Sequence, residues 1–165
     1  MDQVLDFDGG LTRCLPRLRR FAHALSRDPA DADDLTQMTL ERALTARRQW
    51  QPGTNLDSWL FRIMRNLWID TARSRSRKAK LELPEEAGTD TGFDPRPGME
   101  ASVDLARVMA AMSRLPDEQR EVVALILVEG FGYRETAEML GLPIGTVSSR
   151  LVRGRTALLE MVGEQ

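Results

Sequence analysis

Residues Phe131–Met161 read FGYRETAEMLGLPIGTVSSRLVRGRTALLEM, and the way this stretch folds decides what the rest of the chain is for. Its pattern predicts a short helix over Tyr133–Leu140, the turn Gly141-Leu142-Pro143, and a longer helix from Ile144 into the last residues. Gly141 can take the positive φ that ends a helix, and Pro143 presets the entry to the next. Ala137 offers a small side chain where two helices cross steeply. On the second helix Ile144, Val147, Leu151, Gly154, Leu158 and Met161 recur at helical steps and form one inward stripe. The opposite face carries Thr146, Ser149, Arg150, Arg153 and Arg155 and no acid. Such a small, neutral-to-basic face suits a helix-turn-helix entering the major groove of DNA. The plainer reading is a helical hairpin with merely solvated arginines, and the Ala137/Gly141/Val147 spacing favours the first.

The remaining composition sets bounds. With 165 residues, the chain forms one domain or two small ones, each with a modest core. It is 42% hydrophobic and 29% charged, which places it among globular rather than disordered chains. The longest apolar run, Val122–Val128, is too short to cross a bilayer. The acidic start Met1-Asp2-Gln3-Val4-Leu5-Asp6 lacks the basic region of a secretory signal. Cys14 is the only cysteine, so no disulfide or cysteine-rich metal site forms within one chain. A cytoplasmic protein without membrane insertion is expected. With one histidine, one cysteine, no HExxH and no glycine-rich phosphate loop, neither an enzyme nor a cofactor is expected. The net charge of −2 divides unevenly: Arg62, Arg65, Arg73, Arg75, Arg77, Lys78 and Lys80 face only Asp70. From Leu81 to Asp104 the sign reverses, with Glu82, Glu85, Glu86, Asp90, Asp94, Glu100 and Asp104 against Arg96 alone. Local sign governs affinity for a polyanion, so a basic patch sits beside an acidic tether.

Along the chain, Leu11, Leu15, Leu18, Ala22 and Leu25 predict an amphipathic helix over Leu11–Ser26, with Pro16 kinking it or marking its first turn. A second helix is predicted from about Ala30 to Arg48, burying Ala32, Leu35, Thr36, Thr39, Leu40 and Ala43. Asp34, Gln37, Met38 and Glu41 then share its outer face. That face is either simply solvated or a protein-docking surface, where a flexible apolar side chain among charges is common. Trp50–Asn55 is a loop, and Thr54 with Asp57 has capping-box spacing ahead of a helix from Leu56 to about Arg77. Leu60, Ile63, Met64, Leu67 and Thr71 would be its buried stripe, while Arg62, Asn66, Ile69 and Arg73 share another face. Trp50, Trp59 and Trp68 can serve as core or as platforms for unstacked bases, with core favoured. Arg62 and Asn66 are the better nucleic-acid candidates. Residues 81–100 read as a linker able to span about 60 Å when extended. A helix then resumes from Ala101 with Leu105, Val108, Met109 and Met112 inward, and another begins near Asp117. The run Val122–Val128 is β-branched, yet its charged flanks and the lack of a partner strand predict helix.

Four stretches, DADDLTQMTLERAL (Asp31–Leu44), WLFRIMRNLWID (Trp59–Asp70), LPDEQREVVALILVEGFGYRETAEMLGLPIGTVSSRL (Leu115–Leu151) and the RGR after it, carry a family resemblance over nearly the whole chain. The chain resembles the extracytoplasmic-function sigma factors of bacterial RNA polymerase. The resemblance implies an all-α fold of two small helical domains: a region-two bundle over 1–80, a linker over 81–100 and a region-four helix-turn-helix over 101–165. It implies that Asp34, Gln37, Met38 and Glu41 dock on core RNA polymerase, and that Arg62, Arg65, Asn66, Trp50 and Asn55 hold the melted −10 element. Thr146, Ser148, Ser149, Arg150, Arg153 and Arg155 would meet the −35 element of promoter DNA. It further implies an anti-sigma partner. The sequence departs from the family's habit at Met38, usually an acid, Leu40, usually aromatic, Ser148, often basic, and Gly154, often alanine. The competing assignment is a stand-alone helix-turn-helix regulator with an N-terminal oligomerisation bundle.

Overall fold

The computed structural model describes residues 2–81 and 103–163, with side chains placed from 6 to 81 and from 106 to 163. All regular structure among them is helical: α1 (Asp2–Ser26), α2 (Pro29–Thr45), α3 (Leu56–Leu81), α4 (Val103–Ser113), α5 (Asp117–Val123), α6 (Tyr133–Leu140) and α7 (Ile144–Gly163). A 3-10 turn, Arg47–Gln49, follows α2, and α5 widens into a π turn over Ala124–Val128. Apart from Leu81, the acidic linker expected over 81–100 lies outside the described residues, as does the helix start expected at Ala101.

Helices α1, α2 and α3 pack on one another. Phe7, Leu18, Phe21 and Leu25 of α1, Leu35 of α2 and Leu60, Phe61 and Met64 of α3 are buried. The first helix starts earlier than its periodicity indicated, because Phe7 adds a buried turn before Leu11; Pro16 lies inside the helix and is exposed. Arg27 closes α1 with φ +60, its N–H donating to the His23 carbonyl at 3.0 Å. The Asp28 side chain caps α2 by accepting from Ala30 N at 2.9 Å, and Pro29 fills the first turn. Leu40, expected inward, is only partly buried; Thr36 and Thr39 are buried, their hydroxyls returned to the carbonyls of Ala32 and Leu35.

The C-terminal helices form around α5 and α7. Gly141 has φ +65 and ends α6, and the Leu142 N–H returns to the Ala137 carbonyl at 3.0 Å. Val147, Leu151 and Gly154 of α7 are buried, as the stripe predicts. Ile144 is not: it is 50% exposed, since the first residue of α7 precedes the contact with α6. The apolar run after Val122 is helical but widened, with Glu129 N donating to Ala124 O at 2.9 Å and Phe131 N to Leu125 O at 3.0 Å. The π turn sets Glu129 and Phe131 toward the N-terminal helices.

The two groups of helices share one continuous core. Phe131 packs edge-on against Phe61 with ring centroids 5.0 Å apart, and Phe61 meets Phe21 at 5.1 Å. The Arg17 guanidinium covers both Phe61 and Phe131, at 5.3 and 5.2 Å from their centroids. The buried Glu129 carboxylate accepts from Arg17 Nε at 3.0 Å and from Arg20 Nε at 2.8 Å. Arg120, 3% exposed, donates to the carbonyls of Ala24 and Leu25 at the C-terminal end of α1, where a cation is favoured. Its Nη2 also holds Asp117 Oδ1 at 2.6 Å, which Arg27 meets at 2.7 Å.

Candidate nucleic-acid interface

Three surfaces gather the residues singled out by the sequence. On α2, burial of Ala32, Leu35, Thr36, Thr39 and Ala43 fixes the helix's rotation, and Asp34, Gln37, Met38 and Glu41 all face out. Met38 is 40% exposed, and Leu44, 52% exposed, extends the same face by a turn. Leu44 was missed because an apolar residue at the end of a helix is ordinarily taken as core. Its signal was the step of three from Glu41.

On α3, burial of Leu60, Phe61 and Met64 turns Arg62 and Asn66 outward, one helical turn apart. Arg65 points elsewhere, with Nε 3.4 Å from Glu121 Oε2 and Nη1 3.4 Å from the Leu140 carbonyl. Burial pushes the Glu121 carboxyl above its ordinary range, and Arg65 offsets part of that. The helix is capped by Asn55, not by Thr54: Asn55 Oδ1 accepts from Asp57 N at 3.0 Å, while Thr54 Oγ1 donates to the Gln51 carbonyl at 2.6 Å. Leu56 is the first helical residue, so Thr54 stands one position too early for a capping box. Asn55 Nδ2 donates to Glu135 Oε1 at 3.1 Å, and Ser58 Oγ donates to the same oxygen at 2.7 Å. Ser58 had carried no signal in the sequence.

Trp50 is 7% exposed and packs on Phe7, with ring centroids 5.7 Å apart; in this arrangement it is core, not an open stacking platform. Its Nε1–H has no partner, and the indole lines a cavity of about 470 Å³ together with Arg13, Cys14, Arg17, Asn55 and Asp57. Arg17 Nη1 holds Asp57 Oδ2 at 2.7 Å beside it. Burial first, then the charge of Asp57, pushes the Cys14 thiol up to about 12, so it is a packing residue without a reactive thiolate.

On α7, Ser149, Arg153 and Arg155 are exposed, and Thr146 and Ser148 are partly so. Arg150 lies 3.6 Å from Glu118 Oε2, a loose surface pair. Among the described residues no group of histidine, cysteine or carboxylate side chains can hold a metal ion, and no helix is long and apolar enough to cross a membrane.

Comparison with known proteins matches these two groups of helices to two families. Sigma-70 region 2 matches residues 11–78, and Sigma-70 region 4 matches residues 105–158. The chain is 40% identical over 145 residues to the ECF RNA polymerase sigma factor EcfG of Rhodopseudomonas palustris, covering 87% of this chain and 78% of that protein. The chain belongs to the ECF RNA polymerase sigma factors. It is 39% identical over 150 residues to sigma factor SigE of Mycolicibacterium smegmatis, covering 90% of this chain but only 58% of that longer protein. Among solved structures, the sigma factor RpoE of Bartonella quintana, crystallised with the anti-sigma factor NepR, superposes with a TM-score of 0.83. It is 34% identical, with 98% of this chain and 99% of that one covered, so the mutual placement of the two helix groups is shared as well as each group's fold. As an ECF sigma factor, the protein acts in transcription initiation, and its region four is a DNA-binding helix-turn-helix.

Proposed function

We propose that residues 1–80 form the region-two module, which docks on core RNA polymerase and holds the melted −10 element, and that residues 101–165 form the region-four module, which reads the −35 element in duplex DNA. The observation that supports this most directly is the outward setting of Arg62 and Asn66 on α3 together with Ser149, Arg153 and Arg155 on α7. The first pair stands on one face of a helix whose other side is core. The second set stands on the outer face of the helix after the Gly141 turn, where a recognition helix meets base edges and phosphates. Asp34, Gln37, Met38, Glu41 and Leu44 would face the polymerase. Trp50 would support the −10 pocket from within, as a buried ring packed on Phe7. Thr146, Ser148 and Arg150 would flank the −35 contacts. The work is binding without catalysis: opening DNA costs about 1.4 kcal/mol of stacking per step, and captured bases offset part of that cost. The protein would act in the cytoplasm. An anti-sigma factor is its expected regulator, because RpoE was crystallised with one.

In vitro transcription with purified core polymerase on genomic templates tests the whole reading; start sites that do not change when the protein is added would refute it. Within it, Arg153→Ala should weaken duplex −35 binding by about 1–3 kcal/mol if it reaches a base edge. Asn66→Ala should lower the yield of open complexes more than that of closed ones. Equal open-complex yields from wild type and Asn66→Ala would reject its role.

A further inference from the structure

We infer that Met38 is an oxidation switch on the outer face of α2: hydrogen peroxide converts its thioether to the sulfoxide, and the oxidised chain loses core polymerase until a methionine sulfoxide reductase restores it. The inference rests on the reading of that face as the polymerase-docking surface. Met38 is 40% exposed, with Asp34 four residues before it, Glu41 three after it and Arg42 four after it, all exposed. Leu35 and Thr39 on either side of it in sequence turn inward and are buried, which sets the methionine on the outside of the helix. The other sulfur atoms of the described residues are sheltered. Met64, Met112 and Met139 are buried, and Met109 and Met161 are partly so. Cys14 is buried as well, and that burial pushes its thiol up to about 12, so it offers peroxide almost no thiolate. Among the described residues, an oxidant that selects by access therefore meets Met38 first.

The forward step needs only the oxidant. The sulfur lone pair attacks one peroxide oxygen; an S–O bond forms as the O–O bond breaks, and the departing oxygen takes up the proton of the transferred one and leaves as water. The sulfur gives up two electrons and the peroxide gains them. Reduction runs the other way with two thiols, which become a disulfide while the oxygen leaves as water. The product side chain is polar and chiral where the thioether was apolar. On the free chain the sulfoxide stays hydrated, so the fold is spared. Beneath a partner that excludes water, its oxygen has to find a donor or be buried without one, and that weakens binding. The thioether makes no such demand and adapts its torsions to the surface it meets. The loss falls on docking and not on the −35 contacts, which lie on α7.

The test treats the purified full chain with hydrogen peroxide, removes the peroxide, and measures competition with untreated chain for core polymerase. Peptide mass spectrometry locates the added oxygen. It should appear at Met38 before Met109 or Met161, and the treated chain should compete about tenfold less well. Full recovery should need methionine sulfoxide reductases A and B together, with dithiothreitol, because each reduces one sulfoxide epimer. Met38→Leu, whatever its starting affinity, should compete equally well before and after treatment; this arm also controls for Met1 and Met99, which lie outside the described residues. Melting temperature and −35 duplex binding should not move in either chain. Earlier oxidation of Met109 or Met161, undiminished competition by chain oxidised at Met38, or an equal loss in Met38→Leu overturns the proposal. So does a loss of −35 binding as large as the loss of docking, which marks general damage. The docking reading fails separately: if Met38→Lys competes as well as wild type, the polymerase contact lies elsewhere and the switch falls with it. If Met38→Lys weakens competition while the sulfoxide does not, the docking face stands and the switch alone is wrong.

Discussion

Gly154 lies on the buried stripe of α7, and a Cβ built there would stand 2.8 Å from Val123 Cγ2 and 3.3 Å from Gln119 Cβ. Valine is stiff at χ1 and a Cβ moves only with its backbone, so neither neighbour yields cheaply. Judged by helix propensity alone, glycine here costs about 1 kcal/mol relative to alanine. Packing reverses that sign. Gly154→Ala is expected to lower stability by about 1–2 kcal/mol, seen as a lower urea midpoint at unchanged slope, and Val123→Ala in the same chain should recover part of it. A variant at least as stable as wild type would mean that α5 and α7 do not approach so closely. This reading needs the neighbour's coordinates: sequence periodicity placed Gly154 on the inner face but could not say how near Val123 would come. Asn55 makes the same point, since Thr54 and Asn55 are both good caps and only the position of the Trp50 loop decides between them.

Asp31 and Arg75 join the start of α2 to the far end of α3 through two short contacts, Nη1 to Oδ2 at 2.8 Å and Nη2 to Oδ1 at 2.7 Å. Hydrogen bonding from Arg75 holds the Asp31 carboxyl below the usual aspartate range. The unfolded chain therefore takes up this proton at higher pH than the folded one. The pair's contribution is complete above the unfolded aspartate value, near 4, and is lost as pH falls through that value toward the lower folded one. Thermal midpoints of wild type and Asp31→Asn measured from about pH 7 to 3 should converge on acidification; a constant gap would refute the linkage. In the sequence Arg75 belongs to a basic run that reads as a polyanion patch, and the fold spends one of those charges on a helix tie. The π turn was equally hidden. Helical flanks around Val122–Val128 correctly outweigh its β-branched content, but the extra residue in the turn follows from docking Glu129 and Phe131 onto α1 and α3. By contrast, Gly141, the bounds of α6 and the outward face of α2 were legible, because each is set by local backbone chemistry or by periodicity within one helix.

The closed arrangement joins residues such as Arg17 and Glu129, which stand 112 positions apart, and each of them alone looks like an ordinary solvated charge in the sequence. Only a buried partner makes such a group informative, and that partner arrives from the other half of the molecule. The packing of the two helix groups leaves the outer face of α2 uncovered. Met38 and Leu44 are the apolar part of that face, flanked by Asp34, Gln37 and Glu41. Apolar groups at the centre of a charged patch commonly carry a disproportionate share of binding energy once water is excluded. Met38→Lys is thus expected to weaken competition with wild type for core polymerase by about tenfold, equivalent to about 1.4 kcal/mol. Its melting temperature and its binding to −35 duplex should stay unchanged, because the side chain is 40% exposed and lies on α2, away from α7. Undiminished competition by Met38→Lys would move the polymerase contact off this face of α2.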